Sequence, residues 1–228
     1  MDKISVLICC HSQDIIHDRL LERSLSSLMR QTYQPDEIIL ILDECHSDTI
    51  DMLGNLQYYD WRDTDSLKIY ERPRKLGLAD AKNYGLQKCN YDYVAYQDAD
   101  DASLVCRLEL QRNFLLQHPD IDMLFTECFD VYNPGEINEV WYPNCFKVGQ
   151  YKTHEQISER IKYENVLAHG SLLGKKSVLL SNGGYDTDKR YLGREDWKKW
   201  YDLITAGYKF HKLDERLYLY SMHTGVER

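Results

Sequence analysis

The chain has 228 residues, 43% of them hydrophobic, and a formal net charge of −9. That length supports one sizeable core, and an acidic balance without a long basic stretch argues against nonspecific nucleic-acid binding, which needs Lys and Arg to neutralise phosphates. No apolar run approaches the ~18 residues that span a membrane, and the start "MDKISVLICC" lacks a signal-peptide pattern, so a cytoplasmic protein is expected.

In chain order, "ISVLICC" (4–10) reads as a short apolar strand. A helix follows over 14–33, with Ile16, Leu20, Leu21, Leu25, Leu28 and Met29 at helical spacing, ending before Pro35. "EIILIL" (37–42) is a second apolar strand closed by Asp43, and 45–56 is a short helix. "SLKIYE" (66–71) and "DYVAYQ" (92–97) are strands on either side of a helix over 78–89 that contains Gly85. A helix over 104–117 stops near Pro119, and "MLFTECFDVY" (123–132) is a further strand. Residues 133–165 carry no regular pattern, and Pro134 and Pro143 break any long element. A strand, a short helix and a Gly-Gly turn cover 169–186, a helix covers 195–207, and "YKFHKL" and "RLYLYS" are two closing strands. Strands apolar throughout, alternating with helices, imply an α/β fold with a mainly parallel sheet covered on both faces. One domain is expected over 1–228, with halves at 1–130 and 131–228. Cys9, Cys10, Cys45, Cys89, Cys106, Cys128 and Cys145 include no CxxC pair, and are expected to be reduced thiols rather than a zinc site.

In such sheets ligands bind beyond the carboxyl ends of the strands, where Asp43 and Asp98 fall. Asp98, Asp100 and Asp101 follow a buried strand, and three neighbouring carboxylates repel one another. A hard divalent cation with substrate phosphates relieves that repulsion. Asp101 is expected to cap the next helix while Asp98 and Asp100 face the ion. The D-x-D pairs at 63/65, 120/122 and 186/188 read as solvated turns. On the residues alone, Glu195 and Asp196 are helix N-terminal charges favoured by the dipole. His169 and His211 read as structural.

The order of motifs resembles the GT-A glycosyltransferases of family 2, which are inverting and use nucleotide-sugars. The resemblance is carried by "EIILILDECHSDT" (37–49), "KLGLADAKNYGL" (75–86), "YQDADD" (96–101), "NGGYD" (182–186), "GREDWKKW" (193–200) and "LYLYSMHTG" (217–225). It implies a GT-A, Rossmann-like sheet flanked by helices in a single domain. It implies that Asp43 or Glu44 contacts the base, that Asp98 contacts the nucleotide sugar or the metal, and that Asp100 is the main metal ligand. The ion is Mn²⁺ or Mg²⁺, with His223 a further candidate for the metal or the diphosphate. Asp196 becomes the catalytic base and Glu195 its support. Cys10, His11, Lys75, Lys82 and Ala99 join the donor-binding positions. Three departures stand out: Cys9-Cys10-His11-Ser12 replaces Pro-x-Tyr-Asn, Lys82 replaces an Arg and so loses its planar fork, and Ser221 replaces an Arg near the end.

The expected partners are a nucleotide-sugar, a UDP-sugar foremost, and a glycan or other hydroxyl acceptor, with no nucleic acid and no transmembrane segment. Tyr132, Trp141, Tyr142 and Phe146 are candidates for a wall against the acceptor sugar. Tyr191, Trp197 and Trp200 are further aromatics, the two tryptophans read as core. Arg72, Arg74 and Lys75 read as a solvated run, with a diphosphate contact second. A nucleotidyltransferase and a catalytically silent nucleotide-sugar-binding module stay open as alternatives.

Overall fold

Nearly unbroken apolar runs need cover on both faces, and β1 (Ile4–Cys10) and β2 (Glu37–Asp43) receive it. The computed structural model describes residues 3–12, 14–56, 66–72, 77–136, 138–143 and 151–222. In it Leu7, Ile39 and Ile41 face one apolar layer, while Val6, Ile8, Ile38, Leu40 and Leu42 face the other, the two-residue pleat of a strand. Into the second layer α1 (Ile15–Met29) sets Leu21, Leu25 and Leu28, spaced i, i+4, i+7. Asp14 starts that helix, its side chain accepting from the Ile16 and His17 N–H groups. Into the first layer α7 (Glu195–Thr205) sets Trp200 and Leu203, with Trp200 edge-on to Phe125 at 5.2 Å.

The remaining elements are α2 (Ser47–Leu56), β3 (Leu67–Arg72), α3 (Leu78–Lys88), β4 (Tyr93–Tyr96), β5 (Ala102–Ser103), α4 (Arg107–Gln117), β6 (Met123–Tyr132), β7 (Val140–Pro143), α5 (His154–Arg160), β8 (Leu173–Lys175), α6 (Lys176–Leu180) and β9 (Phe210–Met222). The strands form one nine-stranded sheet, ordered β3-β2-β1-β4-β8-β6-β9-β5, with β7 on β6. β3, β2, β1 and β4 are parallel neighbours, so their carboxyl ends gather on one edge. β8 runs antiparallel to β4 and β6, and β9 parallel to β6. The expected α/β sheet is thus parallel in its first half and mixed in its second.

Besides the short strand β5 and a start of α4 at Arg107 rather than 104, three elements depart from the sequence reading. The two closing strands are one, β9. Thr126 pairs with Leu213 and Glu127 with Arg216, so exposed Asp214 and Glu215 are extruded as a bulge without ending the strand. β7 forms up to Pro143, where a break was expected. Helix α5 lies inside the stretch read as irregular, opened by a capping box in which Thr153 accepts from Gln156 N–H and the Gln156 side chain returns to the Thr153 N–H.

Gly85 lets α3 approach the sheet. A Cβ there would lie 2.4 Å from Leu7 Cδ1 and 3.0 Å from Ile41 Cγ1, both in the core. Gly85→Ala gains about 0.8–1.0 kcal/mol of helix propensity. Overpacking costs about 1–3 kcal/mol, so urea denaturation is expected to show a net loss.

Candidate active site

The carboxyl edge of β1, β2, β3 and β4 collects the charged residues. Asp43 ends β2 in register with Arg72 on β3, and its Oδ1 lies 3.7 Å from Arg72 Nε. Its other oxygen accepts from the Gly77 N–H at 3.3 Å, and its carbonyl lies 2.7 Å from His11 Nδ1. Arg72 is largely buried beside Asp43, not solvated as expected. The Cys9 thiol at the end of β1 is pushed up to about 12 by burial above all. Lys82 opposes that rise, and Asp98 and Asp43 add to it. The half-buried Cys9 therefore lies close to three candidate site residues carried by α3, β2 and the β4 end.

The turn after β4 is braced from every side. Arg107, fully buried on α4, donates to Gln97 Oε1, Ser103 Oγ and the carbonyls of Tyr96 and Leu172. Burial pulls it down to about 10, so it stays charged at neutral pH. The Asp98 N–H donates to the Tyr218 hydroxyl at 3.0 Å, and Ser24 Oγ donates to the Asp98 carbonyl at 3.0 Å. Ser221 N–H donates to Asp101 Oδ1 at 2.7 Å, and Ser221 Oγ donates to the Asp100 carbonyl. Ser221, where the resemblance led to an Arg, thus clamps the acidic turn to β9. Asp101 is no helix cap: it is buried against β9, and Cys106 holds the N-cap position of α4. Burial, then the neighbouring Asp100 and Asp98, push its carboxyl well above the usual range, against hydrogen bonds from Ser221 and Tyr218.

Asp98 and Asp100 offer only oxygen donors, and the Asp98 side chain is 34% exposed. This donor set fits a hard divalent ion completed by phosphates. Among the described residues no three His, Cys, Asp or Glu side chains form a ready-made metal cage.

The facing wall is the start of α7. Glu195 is buried and pairs with buried Lys82 at 2.8 Å. Burial raises its carboxyl, but the Lys82 charge and hydrogen bond outweigh that and leave it below the usual range. Asp196 Oδ2 accepts from Asn165 Nδ2 at 2.9 Å and Oδ1 from the Trp197 N–H at 2.7 Å, which fixes the carboxylate plane. Trp197 Nε1 donates to the Ile161 carbonyl and ties the same loop to α7.

The fold places Asp43, Lys82, Asp98, Glu195 and Asp196 around one end of the sheet, though Lys82 is committed to Glu195. Glu44 is exposed at a positive φ of 62°. The Cys10 side chain turns into the apolar layer beside Cys45, and Ala99 packs against the same layer. Neither presents a side chain suited to a donor. Lys75, Arg74, His223, Phe146 and Cys145 lie outside the described residues; the other six cysteines are free. Asn165, Tyr185 and His169 join the site without having been singled out for it. His169 had a signal in the adjoining Gly170, where a Cβ would fall 1.8 Å from Tyr218 Oη and 2.7 Å from Asp98 Oδ2.

The arrangement is an α/β fold with an acidic turn opposite a helix-borne carboxylate. The glycosyl transferase family 2 model matches residues 5–173, and the chain belongs to that family. It is 31% identical to the O-antigen biosynthesis glycosyltransferase WbnJ of Escherichia coli, over 98% of this chain and 81% of that protein. It is 26% identical to the UDP-Gal:alpha-D-GlcNAc-diphosphoundecaprenol beta-1,3-galactosyltransferase of Escherichia coli, over 90% of this chain and 69% of that one. S. aureus TarS 1–349, solved in complex with UDP-GlcNAc, superposes with a TM-score of 0.72 at 17% identity, covering 98% of this chain and 60% of TarS 1–349. The mannosyltransferase PcManGT of Pyrobaculum calidifontis, in complex with GDP-Man and Mn²⁺, gives a TM-score of 0.71 at 18% identity, covering 98% of this chain and 58% of that one. This chain therefore spans about three-fifths of both solved chains.

Proposed function

We propose that the chain transfers a sugar from a UDP-sugar to an acceptor hydroxyl with inversion, with Asp196 as base and a divalent cation held by Asp98 and Asp100. The observation that carries the reading is the convergence of Asp43, Asp98, Lys82 and the start of α7 at one end of the sheet. UDP-GlcNAc bound to TarS and the UDP-Gal named for the galactosyltransferase relative favour a uridine donor; the Mn²⁺ of PcManGT favours that ion.

In this reading Asp43, with His11 beside it, faces the base. Asp196, held by Asn165 and the Trp197 N–H, takes the acceptor proton as the new C–O bond forms, and the nucleoside diphosphate leaves from the opposite face. A bound Mn²⁺ or Mg²⁺ supplies charge stabilisation for that leaving diphosphate. Lys82 keeps Glu195 ionised at the foot of α7 and so fixes the helix start. Exposed Tyr132 and Tyr142 form the acceptor wall, while Trp141, next to Tyr142 in β7, turns to the other face and packs on Phe129. Tyr132 and Tyr142 meet edge-to-face at 5.7 Å, one register step beyond the Val131–Ser221 pair that clamps the acidic turn.

A thermal-shift panel of UDP-galactose, UDP-GlcNAc and GDP-mannose, each with and without MnCl₂, tests the reading. A ligand at a hundred times its Kd adds about 2.7 kcal/mol, which is roughly 5–10 °C for a chain of this size. The shift is expected with a UDP-sugar plus Mn²⁺ and is lost in Asp100→Ala. Shifts that MnCl₂ leaves unchanged for every nucleotide favour the silent binding module.

A further inference from the structure

His169 opens the short turn that leads into β8, and its ring is wedged among aromatics. It lies 4.3 Å from Tyr96 between centroids and stacks at 5.8 Å on Trp200. Nε2 is 3.0 Å from the Tyr185 hydroxyl. Nδ1 is wholly enclosed, has no hydrogen-bond partner, and lies 3.6 Å from Asp98 Oδ1. Packing accounts for the ring but not for that nitrogen: a phenylalanine would fill the same space. In a neutral imidazole one nitrogen donates and the other accepts. With the Tyr185 O–H donating to Nε2, the proton sits on Nδ1 and points at Asp98. The gap is longer than a hydrogen bond, and a small rotation of the carboxylate closes it. Gly170 brings this backbone close, because any side chain there would strike Asp98 Oδ2 and Tyr218. Tyr185 is itself fixed by Asn83, whose Nδ2 donates to the Tyr185 carbonyl at 2.8 Å and whose Oδ1 accepts the Tyr185 N–H at 2.7 Å.

We propose that His169 is a positioning residue: its Nδ1–H orients the Asp98 carboxylate for a divalent cation and diphosphate, with the Tyr185 hydroxyl setting the tautomer. The proposal rests on the metal reading given above. A ligating carboxylate is steered by the groups hydrogen-bonded behind it, and losing one typically costs about 10–100-fold in metal affinity.

Calorimetric titration of MnCl₂ into the full chain saturated with UDP measures this directly, without turnover. His169→Phe keeps the ring and removes both nitrogens; Mn²⁺ binding is expected to weaken by about 10–100-fold. His169→Asn loses the ring but returns an N–H near the Nδ1 position, so it is expected to be less stable than His169→Phe yet to bind Mn²⁺ more tightly. A purely structural histidine gives the opposite order of affinity. The double variant H169F/Y185F also removes the tyrosine hydroxyl that faced Nε2, and keeps the comparison available where H169F folds poorly. Unchanged Mn²⁺ affinity in H169F or the double variant, or tighter binding in H169F than in His169→Asn, overturns the proposal. Wild-type protein whose UDP binding ignores Mn²⁺ overturns the metal reading beneath it and this proposal with it. That outcome is visible before any variant is made.

Discussion

Asp196→Asn is expected to cut sugar transfer by roughly 10²–10⁴-fold while leaving donor affinity within about twofold, because a positioned base contributes on that scale and does not hold the donor. The substitution is nearly isosteric, but the site makes it informative in a second way. Two donors converge on the carboxylate, the Trp197 N–H at Oδ1 and the Asn165 amide at Oδ2. An asparagine offers one oxygen and one NH₂, so either one of these donors faces another donor or the Asn165 amide flips and gives up the Leu167 N–H that its oxygen accepts. Losing that acceptor costs about 1–3 kcal/mol. The melting temperature is therefore expected to fall by several degrees, at roughly 2–4 °C per kcal/mol for a chain of this length. Release of nucleoside diphosphate from the donor selected by thermal shift, and calorimetric donor binding, are both measured well below that melting point. Retained turnover removes Asp196 as the base. Lost donor binding moves it from the acceptor side to the donor side.

What was legible in the sequence follows from the range of the interactions. β1, β2 and the helices α1 and α7 declare themselves because their apolar periodicity is local. The acidic turn was legible because Asp98, Asp100 and Asp101 are adjacent and follow a strand. The role of Asp101 was not, since its partner Ser221 lies 120 residues away. Nor was the fate of Lys82, a donor-side residue by its motif, whose ion pair spans 113 residues to Glu195. The sequence divides β9 into two strands with Asp214 and Glu215 between them; a bulge puts the same two charges in solvent without ending the ladder. α5 had its signal in Thr153-x-x-Gln156, overlooked beside Pro143. His169 is buried among aromatics, as a structural histidine would be, and no local pattern shows that one of its nitrogens faces Asp98.

Lys82→Met is expected to destabilise the protein by about 3–5 kcal/mol at neutral pH, the range for removing one partner of a buried ion pair. Both side chains are enclosed, Lys82 at 3% and Glu195 at 7% exposure, so water cannot stand in for the missing ammonium. The loss should depend on pH with a definite sign. In the wild type the Glu195 carboxyl is held below its usual range, so its contribution is full above the unfolded value near 4.5 and is lost as pH falls through the lower folded one. In the variant burial is opposed only by the weaker effects of the Glu195 backbone N–H and His169, so the carboxyl rises. The deficit of Lys82→Met is then largest at neutral pH and narrows on acidification, as Glu195 takes a proton and stops being a buried charge. Urea denaturation of both proteins at pH 7 and pH 5 reads this difference. Lys82→Met combined with Glu195→Gln should recover part of the stability at pH 7 and lose most of the pH dependence, since no charge is left to strand. A deficit that is constant from pH 5 to pH 7, unaltered by Glu195→Gln, would mean that the lysine acts through packing of its stem over the Tyr185 ring, which its ammonium approaches to 5.2 Å, and that Glu195 is neutralised by another route.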